Sequence, residues 1–307
     1  MDKKKIDLKG VLAPIPTPFE ENGILNLNRL DEITAFLSKC GLTGIVVMGS
    51  SGEAVHLNFK EKCRLLDRAA GLAPPEWTLV AGTGCFSTIE SLELTREAAR
   101  AGFHAALIIT PFYYRSRMAA EVLTAYYRDL ADSSPIPIVI YNMPANTGIN
   151  LSAEILLDLA IHPNIIGLKD SGGNMGVIAR LKNEPDGNFD ILAGSASFFL
   201  PALCVGASGG IMALANIAPV SCVTLYDSFR AGDLEKARKI QQRLSELNAA
   251  VTSRWGVAGL KAAMEIRGLH TGPPRRPLLP AGPDIHAVLT DLMEKSLLPE
   301  DKVRRLS

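Results

Sequence analysis

Eight short, β-rich apolar runs recur roughly every 30 residues, the room that one strand and one helix need. They are Val11–Ile15, Gly44–Met48, Thr78–Ala81, Ala105–Thr110, Ile136–Tyr141, Ile165–Lys169, Ile191–Gly194 and Ser208–Ala213. Helix-start signals fall between them: Asn58 stands three residues before Glu61 and Ser87 three before Glu90, each followed by apolar residues at helical spacing. Asn28 before Asp31 and Ser152 before Glu154 are expected to cap in a similar way. Eight strand–helix units in an unbroken run predict an α/β fold, a (β/α)8 TIM barrel over residues 1–230. A helical C-terminal region over residues 231–307 is expected to pack on it, with helices near Leu234–Ala249, Val257–Arg267 and Asp284–Glu294. The rival, a doubly wound sheet, would need a domain boundary in this length, and no GxGxxG follows an early strand.

Several functional classes fall away on composition. Thirty-two basic residues balance thirty-two acidic ones, and the longest basic block is Lys3–Lys5, so there is no field for nucleic acid. Ile191 through Tyr226 holds no charged residue, but glycines, prolines and serines break it up. It reads as strand, helix and strand buried in an α/β core, not as a membrane span. The N-terminal region has no long apolar stretch of the signal-peptide kind, and five scattered cysteines suit a reducing compartment, so the expectation is a cytoplasmic protein.

In a barrel, the polar residues that end strands build the site. Lys169 ends an otherwise apolar strand, NIIGLKD. Enclosed there, a lysine tends to a lowered pKa and a neutral amine able to attack a carbonyl carbon; the alternative is a lysine that leaves the barrel and pairs at its rim. Tyr141 ends the preceding strand, where a phenol can move a proton to or from a substrate hydroxyl or can merely line the core. Ser50 and Ser51 sit in a glycine-flanked turn whose N–H groups and hydroxyls suit a carboxylate, though such a turn is common in itself. None of the five histidines has HxH or HExxH spacing, so no metal or cofactor is expected, and Gly49–Gly52 lacks the spacing of a serine-hydrolase elbow.

The blocks PIPTPF (Pro14–Phe19), GSSGE (Gly49–Glu53), TPFYY (Thr110–Tyr114), YNMPANTG (Tyr141–Gly148), GLKDSGG (Gly167–Gly173), LAGSA (Leu192–Ala196) and GGIMALAN (Gly209–Asn216) occur in that order. As a set they resemble the dihydrodipicolinate synthase / N-acetylneuraminate lyase family of pyruvate aldolases. The resemblance implies a Schiff base between a 2-oxo acid and Lys169, proton transfer by Tyr141, and carboxylate binding by Ser50 and Ser51. It also implies a homo-oligomer, a dimer of dimers in which Tyr113 is lent to the neighbouring subunit. Asn146 stands where the synthases of the family carry an arginine, and asparagine cannot replace a bidentate guanidinium. The runs AGTGCFST, TPFYYRSRM and NAAVTSRWGVAGLK, the last spanning Asn248–Lys261, are similar to the 4-hydroxy-2-oxoglutarate aldolase branch. In that branch Asn146, Ser171, Ser195 and the loop after Gly210 would face the aldehyde half of a small-molecule substrate. The expected reaction is cleavage of 4-hydroxy-2-oxoglutarate to pyruvate and glyoxylate. The alternatives are a 2-keto-3-deoxy sugar acid aldolase, a dihydrodipicolinate synthase, an N-acetylneuraminate lyase and a barrel that only binds.

Overall fold

The computed structural model describes residues 6–183 and 189–303; the Lys3–Lys5 run lies outside them. All eight apolar runs form parallel strands: β1 Gly10–Pro14, β2 Gly44–Val47, β3 Thr78–Gly82, β4 Ala105–Ile109, β5 Ile138–Asn142, β6 Ile165–Asp170, β7 Asp190–Ala193 and β8 Gly209–Ile211. They pair in sequence order and β8 returns to β1, closing the barrel. The closing seam depends on glycine, because a Cβ on Gly209 would stand 2.1 Å from the Gly10 carbonyl oxygen.

Side-chain alternation divides each strand between two cores. Leu12, Val46, Val80, Leu107, Val139, Leu192 and Ile211 fill the barrel interior. Their neighbours, among them Val11, Ile45, Val47, Ile108 and Ile140, pack outward under the helices. Away from their ends the strands are therefore apolar on both faces, which is why the runs lack a polar side.

The surrounding helices are α1 Arg29–Leu37, α2 Phe59–Leu72, α3 Thr88–Ala101, α4 Ala120–Ser133, the one-turn α5 Pro144–Thr147, α6 Ala153–Ala160, α7 Met175–Lys182, α8 Phe199–Cys204 and α9 Pro219–Arg230. Asn58 and Glu61 form a reciprocal capping box on α2, Ser87 caps α3, and Ser152 caps α6 through the Ile155 N–H. Asn28 is a correction. Its backbone is already helical (φ −68°, ψ −28°) and its side chain makes no capping bond, because an N-cap side chain typically reaches the first-turn N–H groups from a non-helical backbone.

Beyond the barrel come α10 Leu234–Ala249, a π-helical turn at Ala250–Arg254, α11 Gly256–Ile266, α12 Pro283–Ser296 and α13 Pro299–Val303. The π turn and α13 have no counterpart in the sequence reading. Gln241 of α10 is tied to the segment after β7, accepting from the Leu200 N–H at the start of α8 at 3.0 Å and donating to the Ala196 carbonyl at 2.6 Å. Asp301 of α13 accepts from the Val220 and Ser221 N–H groups at 3.0 and 2.9 Å, capping the start of α9. The uncharged stretch Ile191–Tyr226 becomes β7, α8, β8 and most of α9. Among the described residues no helix is long and apolar enough to cross a membrane.

Candidate active site

Tyr141 and Lys169 are directly paired across β5 and β6, as are Asn142 and Asp170 one residue on. The two-residue period sends the first pair into the barrel and the second pair outward. Lys169 is 3% exposed and its Nζ lies 4.1 Å from the Tyr141 ring centroid. The Tyr141 hydroxyl is 3.3 Å from Ser50 Oγ. Burial opposes ionisation of this phenol, but the Lys169 ammonium and hydrogen bonds from Ser50, Lys169 and Ser171 outweigh it, and its pKa falls below the ordinary tyrosine value.

The outward pair braces the inward one. Asn142 Nδ2 donates to Asp170 Oδ1 at 2.7 Å and to Asn150 Oδ1 at 2.8 Å, and Asn142 Oδ1 accepts from the Leu151 N–H at 3.1 Å. Asp170 Oδ2 accepts from the Gly173 N–H at 2.8 Å. The strand ends and the loops that follow them are thereby joined just where Tyr141 and Lys169 emerge. Sequence reasoning places both among the polar residues that end strands but gives neither a role, although each directly follows a residue singled out as reactive.

Ser171 stands beside Tyr141 because Gly194 makes room for it: a Cβ there would lie 2.0 Å from Ser171 Oγ. Ser195 Oγ is 2.9 Å from Ser197 Oγ and accepts from Asn248 Nδ2 at 3.2 Å. The turn holding Ser50 and the partly buried Ser51 is closed by its own backbone, Gly52 N–H to Gly49 carbonyl at 3.0 Å and Glu53 N–H to Ser50 carbonyl at 3.2 Å. Gly210 is buried in β8, and a Cβ on it would approach Phe199 and Met212 within 3.1 Å.

Two candidates lie exposed. Asn146 is exposed on α5. Tyr113 is 73% exposed in a rim cluster, edge-on to Phe86 at 6.0 Å and to Tyr114 at 5.0 Å between centroids. Lys169, Tyr141, Ser50 and Ser171 are thus assembled around one buried hydroxyl. A buried amine, a phenol of lowered pKa and adjacent hydroxyls can together bind a 2-oxo acid and move a proton.

Comparison with known proteins gives the family. The profile of the dihydrodipicolinate synthetase family matches residues 7–296. A 4-hydroxy-tetrahydrodipicolinate synthase of Exiguobacterium sp. is 36% identical over 286 residues, 93% of this chain and 97% of the relative. A protein of Emericella nidulans named "Probable 4-hydroxy-2-oxoglutarate aldolase, mitochondrial" is 35% identical over 296 residues, 94% of each chain. The crystal structure of the Acinetobacter baumannii dihydrodipicolinate synthase complexed with pyruvate superposes with a TM-score of 0.89 at 28% identity, covering 94% of this chain and 98% of that one. Most of the similar proteins carry the synthase name, so the likeness reaches the family as a whole and not the 4-hydroxy-2-oxoglutarate aldolase branch alone. The chain belongs to the dihydrodipicolinate synthetase family, a family of enzymes.

Proposed function

We propose that this protein is a Schiff-base aldolase that cleaves 4-hydroxy-2-oxoglutarate to pyruvate and glyoxylate. The observation that carries the reading is the Lys169–Tyr141 pair, a buried amine 4.1 Å from the ring of a phenol whose pKa is lowered. Lys169 Nζ adds to the C2 carbonyl, and loss of water leaves an iminium with the substrate C1 carboxylate on Ser50 and Ser51. Tyr141, acting as the base, takes the proton of the C4 hydroxyl as the C3–C4 bond breaks. The bonding pair moves into the iminium to give an enamine, and glyoxylate leaves. Protonation at C3 and hydrolysis of the imine then release pyruvate and free the amine.

The choice of substrate is supported by the residue type at position 146: Asn146, exposed on α5, is a neutral amide where the synthases carry a guanidinium. Ser171 and Ser195 offer further neutral donors to the aldehyde half. Free thiols at all five cysteines support a reducing, cytoplasmic setting. The names of most relatives favour a second reading, a synthase that condenses pyruvate with an aldehyde instead of releasing it.

Pyruvate and borohydride should add one reduced pyruvate per subunit at Lys169, seen by intact mass and peptide mapping. An adduct that persists in Lys169→Ala would sink the mechanism. Parallel pyruvate-release assays then separate the substrates, with a preference of roughly a hundredfold in kcat/KM for 4-hydroxy-2-oxoglutarate over 2-keto-3-deoxygluconate expected. The reverse preference would reassign the protein to sugar acids, and condensation without cleavage would make it a synthase.

A further inference from the structure

The segment Asn248–Lys261 supplies no reacting group, yet both of its ends reach toward the strand-end loops. Asn248 donates to Ser195 at one end. At the other, Lys261 Nζ pairs with Glu53 Oε1 at 2.8 Å, the two side chains being 2% and 1% exposed. The same ammonium donates to the Pro273 carbonyl at 3.0 Å and lies 4.5 Å from the Phe19 ring centroid. The second Glu53 oxygen accepts from the Arg275 N–H at 2.8 Å and is 3.2 Å from His56 Nδ1. Arg275 is itself anchored, its guanidinium on Glu61 at 2.6 and 2.8 Å and on the His56 carbonyl at 2.7 Å.

Glu53 ends the GSSGE turn in the left-handed region (φ 53°), and Met48 enters the turn at φ 60°. Residues with side chains avoid that region, so the turn is held in place by contacts around it. The held residues between these two points include Ser50 and Ser51. A Glu53 carboxylate buried this deeply requires a counter-ion, and Lys261 brings one from a helix more than 200 residues away.

We propose that Lys261 is a positioning residue for carboxylate recognition: through Glu53 it holds the Ser50–Ser51 turn in the arrangement that receives the substrate carboxylate. The proposal rests on the aldolase reading above. Removing the lysine leaves Glu53 Oε1 without its cation, with only the Arg275 N–H and His56 on the other oxygen, and this buried carboxylate regains water by shifting the turn, so binding of the 2-oxo acid should suffer before chemistry at Lys169 does.

The test is borohydride trapping at a series of pyruvate concentrations on the full chain. Lys261→Met should raise the half-saturating concentration about tenfold or more, with trapping at saturation still reaching one per subunit. The double variant Lys261→Met/Glu53→Gln, which has no buried charge to hydrate, should recover much of that loss. Glu53→Gln alone, the closest in shape, should weaken half-saturation in the same direction and decides the matter if Lys261→Met does not fold. Unchanged half-saturation in a folded single variant, or no recovery in the double one, overturns the proposal. No trapping by the parent protein overturns the aldolase reading and this inference with it.

Discussion

Lys169 Nζ stands 4.1 Å from the centroid of the Tyr141 ring, on the strand position directly paired with it. In a barrel interior otherwise lined by aliphatic side chains, a cation on an aromatic ring retains part of the stabilisation it gives up on leaving water. The arrangement also joins the chemistry of the two groups, since the charge of one bears on the ionisation of the other.

The Tyr141 pKa should therefore respond to both partners. Lys169→Met removes the cation and Ser50→Ala removes a hydrogen bond to the phenolate, so each should move the pKa upward. Tyrosinate absorbance, taken as the difference from Tyr141→Phe, reads the shift directly. Tyr141→Phe should also lower kcat by about 10²–10⁴-fold while leaving pyruvate trapping at Lys169 intact; loss of trapping would assign Tyr141 to imine formation instead.

Asp170→Ala should destabilise the fold by about 2 kcal/mol or more, because it leaves the Gly173 N–H and one Asn142 amide hydrogen without their acceptors. Urea unfolding measures the loss. A change below about 0.5 kcal/mol would mean that water replaces the carboxylate at little cost.

Glu265 predicts a pH dependence of stability. Burial works against its charge, but His270 and the N–H groups of Thr271 and Gly272 hold its pKa below the ordinary value. A lowered carboxylate pKa contributes stability that is complete above the unfolded-state value and is lost as pH falls through the folded one. Glu265→Gln should thus be less stable than the parent at neutral pH, with the gap closing on acidification. Urea midpoints of the two proteins across that range test the sign.

The rim cluster of Phe86, Tyr113 and Tyr114, exposed by 59%, 73% and 69%, is expected to be covered by a second copy of the chain. Light scattering should give at least a dimer, and a dimer of dimers is the expected assembly. Tyr113→Ala should lower kcat/KM by about tenfold or more if the tyrosine completes the neighbour's site. An active monomer would refute the arrangement.

Periodicity and composition were enough to specify the barrel. A strand sandwiched between side chains inside and helices outside must be apolar up to its end, so the eight runs are visible without coordinates. Lys169 and Tyr141 were legible for the same reason, as polar residues that end such strands. Asn142 and Asp170 stand beside them in sequence, but only the outward turn of the pleat gives them a bracing role. Ser171 beside Tyr141, Asn248 on Ser195 and Lys261 on Glu53 were decided by the tertiary structure alone. These contacts join residues that local propensity cannot relate, and they form only when barrel closure brings the strand-end loops together and α10 and α11 pack back against them. A buried charge finds its counter-ion through packing, and packing does not follow separation along the chain.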